Sequence, residues 1–158
     1  MKSILKLMIV FLCIGSTQIA NAHSETIANL TFEQSESGLI VTASLEKNHL
    51  AYGLKKEAKC LPKDMMNVCA TQFFTENITV EINGQKVDLV KTAQRLTLTS
   101  LVITYEVKYT EAIKNIVVQS DYMIKYNAHA KLKVISKLET EDQIYSLSAR
   151  RKKVKISL

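Results

Sequence analysis

The 158-residue chain has no tryptophan, only four glycines and three cysteines, and no long apolar run after its first two dozen residues. Each shortage removes a class of function. Without an indole to stack on a sugar ring, a glycan-binding role loses its usual platform. The few glycines form no P-loop, and neither G-x-S-x-G nor H-E-x-x-H occurs, so the motifs that position a phosphate, an acyl nucleophile or a hydrolytic zinc are missing. The acidic residues form no obvious general acid–base pair. No enzyme is expected. The lack of a later apolar stretch of roughly twenty residues leaves no spanning helix beyond the N-terminal region, so an integral membrane protein is not expected either.

The N-terminal region itself has three parts. Lys2 and Lys6 are basic, Leu7 to Ile14 is apolar but short for a bilayer, and Ala20-Asn21-Ala22 places small residues where a signal peptidase reads them. This pattern predicts a cleavable secretory signal over residues 1–22 and a mature domain over 23–158, exported to the periplasm or the extracellular space. Leu12 before Cys13 does not suit a lipoprotein signal. Loss of Lys2 and Lys6 lowers the formal charge from +6 to +4, a moderately basic chain long enough for one core. Two cysteines remain, Cys60 and Cys69. An even pair in an exported chain predicts a disulfide, whose short loop contributes about 2.5–3 kcal/mol in the chain-entropy picture. The sequons at Asn29 and Asn77 fall in apparent strands and read as chance occurrences.

Most of the mature chain is patterned as strand. Ile27, Leu30 and Phe32 lead to a polar turn at 34–38 and then to the strand at 39–45. The stretch "ITVEINGQKVDLV" carries Asn83-Gly84 between two β-rich runs, the strongest hairpin signature present. "RLTLTSLVITYEVKY", "IKNIVVQSDYMIKY", "AKLKVISKL", "QIYSLS" and "KVKISL" follow, each rich in β-branched and aromatic residues. Leu50, Leu54 and Ala58 recur every four residues, as do Met65, Cys69 and Phe73, with Asp64 as a cap after Pro62. These spacings predict one or two short helices around residues 46–76. Roughly eight strands with a helical insertion predict a mainly β fold: a single antiparallel β-sandwich of immunoglobulin-like architecture, with a closed barrel as the alternative.

Three groups of residues carry candidate chemistry. Every histidine lies in the mature part: His23, His49 and His129. An N-terminal His23 offers amine and imidazole nitrogens to Cu(II), and His49 or His129 would complete a nitrogen-rich tetragonal site. Copper is therefore the candidate metal, with Met65 and Met66 as softer donors or, equally, core filler. The second group, Tyr122, Tyr126, Asn127 and His129, clusters at a strand–turn–strand junction. It reads as a partner-contact edge or as a tyrosine hydroxyl fastening a turn that Asn127 bends. The third is the basic run Arg150, Arg151, Lys152, Lys153 and Lys155. There Arg150 and Arg151 are candidate partner contacts, while Lys153 and Lys155 alternate with Val154 and Ile156 as on a last edge strand. No aromatic-rich basic motif accompanies this run, so nucleic acid is not an expected partner.

The order of these segments, with "VEINGQKV", "DYMIKYNAHAKLKV" and the final "YSLSARRKKVKISL", resembles a family of small exported β-sandwich proteins of Bacteroidetes-type bacteria. It is also loosely similar to the exported N-terminal part of hydrogenase and urease accessory proteins. The resemblance implies export, a sandwich fold and a nickel or copper association. The Cys60–Cys69 insertion departs from that pattern, and no activity or catalytic residue follows from it. The sequence thus predicts a non-catalytic binding or accessory protein of the bacterial cell envelope, working with a protein partner, with periplasmic copper or nickel binding as the alternative.

Overall fold

A computed structural model describes residues 26–36, 38–56, 66–122 and 127–158. The expected signal peptide, His23, Cys60 and Tyr126 lie outside these residues, as do Ala58, Pro62, Asp64 and Met65. In chain order the elements are β1 (Thr26–Ser35), β2 (Gly38–Glu46), α1 (Lys47–Lys56), α2 (Met66–Glu76), β3 (Ile78–Ile82), β4 (Gln85–Val87), β5 (Val90–Leu96), β6 (Ser100–Val107), β7 (Asn115–Ser120), β8 (Lys131–Lys137), β9 (Gln143–Leu147) and β10 (Lys153–Ser157). They form a six-stranded sheet, ordered β5-β6-β2-β1-β8-β9, and a four-stranded sheet, ordered β10-β7-β3-β4. The fold is the expected β-sandwich. Both sheets end in free edges, so it is not a closed barrel.

The alternation in the sequence explains the two layers. Leu39, Val41, Ala43 and Leu45 of β2, and Leu101, Ile103, Tyr105 and Val107 of β6, all point inward and are buried, while their neighbours are half-exposed. A strand turns successive side chains to opposite faces, so this period of two gives each sheet one apolar face. Val80, Ile82, Ile116, Val118, Val154 and Ile156 of the second sheet complete the core. β10 is an edge strand with Val154 and Ile156 inward and Lys153 and Lys155 exposed. Outward lysines at such an edge oppose pairing with another sheet.

Local chemistry sets the hairpins. At the β3–β4 turn Asn83 and Gly84 both have positive φ, 51° and 84°, the backbone that a two-residue type I′ loop demands. The Asn83 side chain also donates to Tyr109 Oη (2.8 Å) and the Ala112 carbonyl (2.9 Å). Its Oδ1 accepts from the amides of Lys114 and Asn115 (2.8 and 3.2 Å). One residue thus bends the hairpin and fastens the loop between the two sheets. Gly38, which opens β2, has φ 140°, and a Cβ there would meet the Val107 carbonyl oxygen at 2.5 Å.

Two features differ from the sequence expectation. "RLTLTSLVITYEVKY" is not one strand but the end of β5, a turn and β6. The Thr97 hydroxyl donates to the Ser100 carbonyl and accepts from the Ser100 amide, both at 2.9 Å, closing a turn that no glycine, proline or asparagine marks. The sheet is also not wholly antiparallel, because β1 pairs with β8 in parallel. β2 reaches β1 through a tight turn and must run against it. β8 arrives by a long crossover, and such a connection permits a parallel pair.

Both expected helices are present. Leu50 and Leu54 of α1 and Cys69, Phe73 and Phe74 of α2 are buried. They lie at one end of the sandwich, which also holds the starts of β1, β6 and β8 and the ends of β2, β5 and β9. The short turn from β9 to β10 at Ser148–Arg151 brings the second sheet's matching end to the same place. We call this end the helix pole.

Candidate interaction surface

Strand register brings most of the candidate residues to the helix pole. His49 lies just beyond the end of β2, His129 and Asn127 just before β8, Tyr122 just beyond β7, and Arg150 and Arg151 between β9 and β10. They enter it in different roles.

His49 belongs to a helix cap. Glu46 precedes α1, and its Oε2 accepts the His49 amide (2.8 Å) while His49 Nδ1 stands 2.6 Å from the same oxygen. The first-turn amides of a helix have no intrahelical acceptor, so a carboxylate here satisfies them and meets the positive end of the helix dipole. Desolvation pushes the Glu46 carboxyl up, but the amide and ring of His49 and the amide of Asn48 outweigh it and hold the group below its ordinary range. The short Nδ1 contact places the ring proton on Nδ1. His129 is exposed, and its amide donates to Asn127 Oδ1 (2.9 Å), with Ala130 N–H reaching the Asn127 carbonyl (3.0 Å). Asn127 therefore does make the bend that its side chain suggests.

Tyr122 is the clear correction. It is fully buried, its ring packed on Phe73 (5.6 Å between centroids) and edge-on to Phe74 (5.3 Å). Its hydroxyl has no hydrogen-bond partner among the described residues, so within them it fastens no turn, and its burial keeps it from a partner's surface. Tyr105, stacked at 6.3 Å on Phe74, is likewise buried, and its hydroxyl has no partner among the described residues. Burial raises the phenol pKa of both, and the Glu46 charge adds to the shift at Tyr122. Both stay neutral at physiological pH. The apolar ring dominated the position: it was worth more in the core than its hydroxyl was in water.

Arg150 and Arg151 are exposed, and the Arg151 backbone exchanges two hydrogen bonds with Ser148 across the turn. Their neighbour Lys152 pairs with Asp121 (2.6 Å). Cys69 is buried on α2, and the Cys60 expected to bridge to it lies outside the described residues. Among the described residues no three of His, Cys, Asp and Glu gather as metal ligands.

The surface feature that sequence reasoning missed is apolar. Leu98, at the tip of the β5–β6 hairpin, is 95% exposed, Leu96 of β5 61% and Val68 of α2 62%. This hairpin is held. Lys47 donates from its backbone to the Thr99 carbonyl (2.9 Å) and from Nζ to the Leu98 carbonyl (3.0 Å). α2 touches the same strand where the Thr71 hydroxyl donates to Gln94 Oε1 (3.1 Å). Leu96 and Leu98 alternate with threonines, so by sequence they resemble the inner face of a half-buried strand. Only the strand order reveals that β5 is an edge and that Leu96 on its inner side is left exposed.

Compared with known proteins, the chain matches no family model and no curated sequence. None of the described helices is long and apolar enough to cross a membrane.

Proposed function

We propose that this is an exported, non-catalytic binding or accessory protein of the bacterial cell envelope, and that it meets a protein partner at the helix pole. The supporting observation is the exposure of Leu96 and Leu98 on a hairpin anchored by Lys47 and Gln94, with Val68 of α2 also exposed. Large apolar side chains cost solvation when displayed, and a rigid scaffold that displays them is suited to docking. The leader-like N-terminus supports the compartment. The test is a photocrosslinking residue at position 98 in cells, with position 139 on the opposite pole as control. A discrete adduct at 98 alone is expected. No adduct at either position, together with measured turnover of a small substrate by the purified protein, would end this reading.

A copper-binding role is a second reading, favoured by the register. Thr26 of β1 pairs with Lys131 of β8, and Ala28 with Leu45 of β2, so the start of β1, His49 and His129 share one pole. His23, the donor on which the site depends, lies outside the described residues. Spectroscopic Cu(II) titration of processed protein decides it: micromolar binding lost in His49→Ala or in His129→Ala is expected, and retention in both removes the site.

A further inference from the structure

We infer that β5 is a docking edge for strand addition, and that its occupant is an extended protein segment alternating acidic and apolar residues. This rests on the proposed binding role and specifies its mode. Among the described residues β5 is an edge of the six-stranded sheet and pairs with β6 alone. Six of its seven residues are exposed, Gln94 being half-buried. An edge strand presents a row of main-chain donors and acceptors that an incoming strand can use. Register is regular from Ala93 to Leu96, which face Thr104, Ile103, Val102 and Leu101 in turn, and it shifts between Lys91 and Ala93. That bulge limits the addable stretch to Ala93–Leu96 and the hairpin tip beyond.

The side chains along this stretch select the occupant. From Val90 to Leu98 the chain carries Lys91 and Arg95 and no acidic residue. Arg95 shares the outer face with Val102, while Leu96 shares the inner face with Leu101. On that inner side α2 contacts Gln94 through Thr71, with exposed Val68 one turn away. A strand added here meets a cation on one face and apolar carbon on the other, and alternation of acidic and apolar residues matches both. A second copy of this chain does not match. Its β5 carries Lys91 and Arg95 and no acidic residue, so it brings no anion to meet Arg95 and adds cations to a strand that already bears two.

The test uses the protein purified after export and two capped octapeptides, one alternating Val and Glu, the other Val and Lys. Amide hydrogen exchange at Ala93–Leu96 should slow at least tenfold with the Glu peptide and stay unchanged with the Lys peptide. Arg95→Glu, at an exposed position, should reverse that preference with no change in melting temperature. Protection that ignores the charge reversal, or that appears on another strand, overturns the inference. So does an edge already protected without peptide, whether by this chain's own segments or by a second copy seen as a concentration-dependent mass. Crosslinking at position 98 that persists in the Arg95→Glu protein, with no peptide preference, would leave the binding role standing and strand addition refuted.

Discussion

Tyr105 and Tyr122 each bury a hydroxyl that has no hydrogen-bond partner among the described residues. A buried unpartnered hydroxyl gives up its water without compensation, so removing it recovers that desolvation cost. Tyr105→Phe and Tyr122→Phe are expected to be neutral or to stabilise by up to about 1 kcal/mol. Denaturant unfolding measures this, and a loss above 1 kcal/mol would mean that the hydroxyl has a partner. Gly38 behaves oppositely. An alanine there combines a disfavoured φ with a Cβ forced onto the Val107 carbonyl. Backbone cannot yield as a flexible side chain does, so Gly38→Ala should cost about 2–4 kcal/mol. None of these roles was legible in the sequence. Tyr122 reads as a junction residue because Ser120 and Asp121 precede it and Tyr126-Asn127 follow soon after, whereas Phe73 and Phe74, some fifty positions away, decide that it is core.

Elements were more readable, because their signals are local. Asn83-Gly84 specifies its turn by backbone conformation alone, and the spacing of Leu50 and Leu54 marks the buried side of α1. The Thr97–Ser100 turn was invisible, since threonine reads as strand until its hydroxyl closes the loop. Two tests belong at this scale. Asn83→Gly keeps positive φ but loses the four side-chain bonds to the 109–115 loop, and should destabilise by about 1–3 kcal/mol. If it is instead neutral, the clip contributes nothing. Glu46 gives a pH signature. Its carboxyl pKa is lowered in the folded state, so its stabilisation is fully present above the unfolded value near 4.3 and fades as pH falls through the folded one. Glu46→Gln should cost about 1 kcal/mol at neutral pH and much less below pH 4. A pH series of denaturation midpoints reads the difference, and a constant gap from pH 7 to 3 would contradict the cap.

For the whole molecule, the consequence is a sandwich whose helix pole displays apolar side chains on a braced hairpin. Lys47 ties α1 to the hairpin tip through two carbonyls besides its backbone bond. Lys47→Ala should leave global stability within about 0.5 kcal/mol, as expected of a half-exposed surface position, while amide exchange over 97–99 rises severalfold. Leu98→Asp should likewise leave the fold intact and abolish the crosslink-defined partner. Unfolding in Leu98→Asp would show that the residue packs on something and is not a contact surface.

The sequence by itself determined most of the strands, the helical insertion, the Asn-Gly hairpin and most of the inward residues. Period-two and period-four patterns are consequences of backbone geometry and need no knowledge of what lies opposite. Only the tertiary structure decided that β1 runs parallel to β8, that β5 is an uncovered edge, that Tyr122 is core and that His49 serves a cap. Those facts depend on which segments meet across a hundred residues of chain, and that is set by competition among packed faces, to which no local spacing refers.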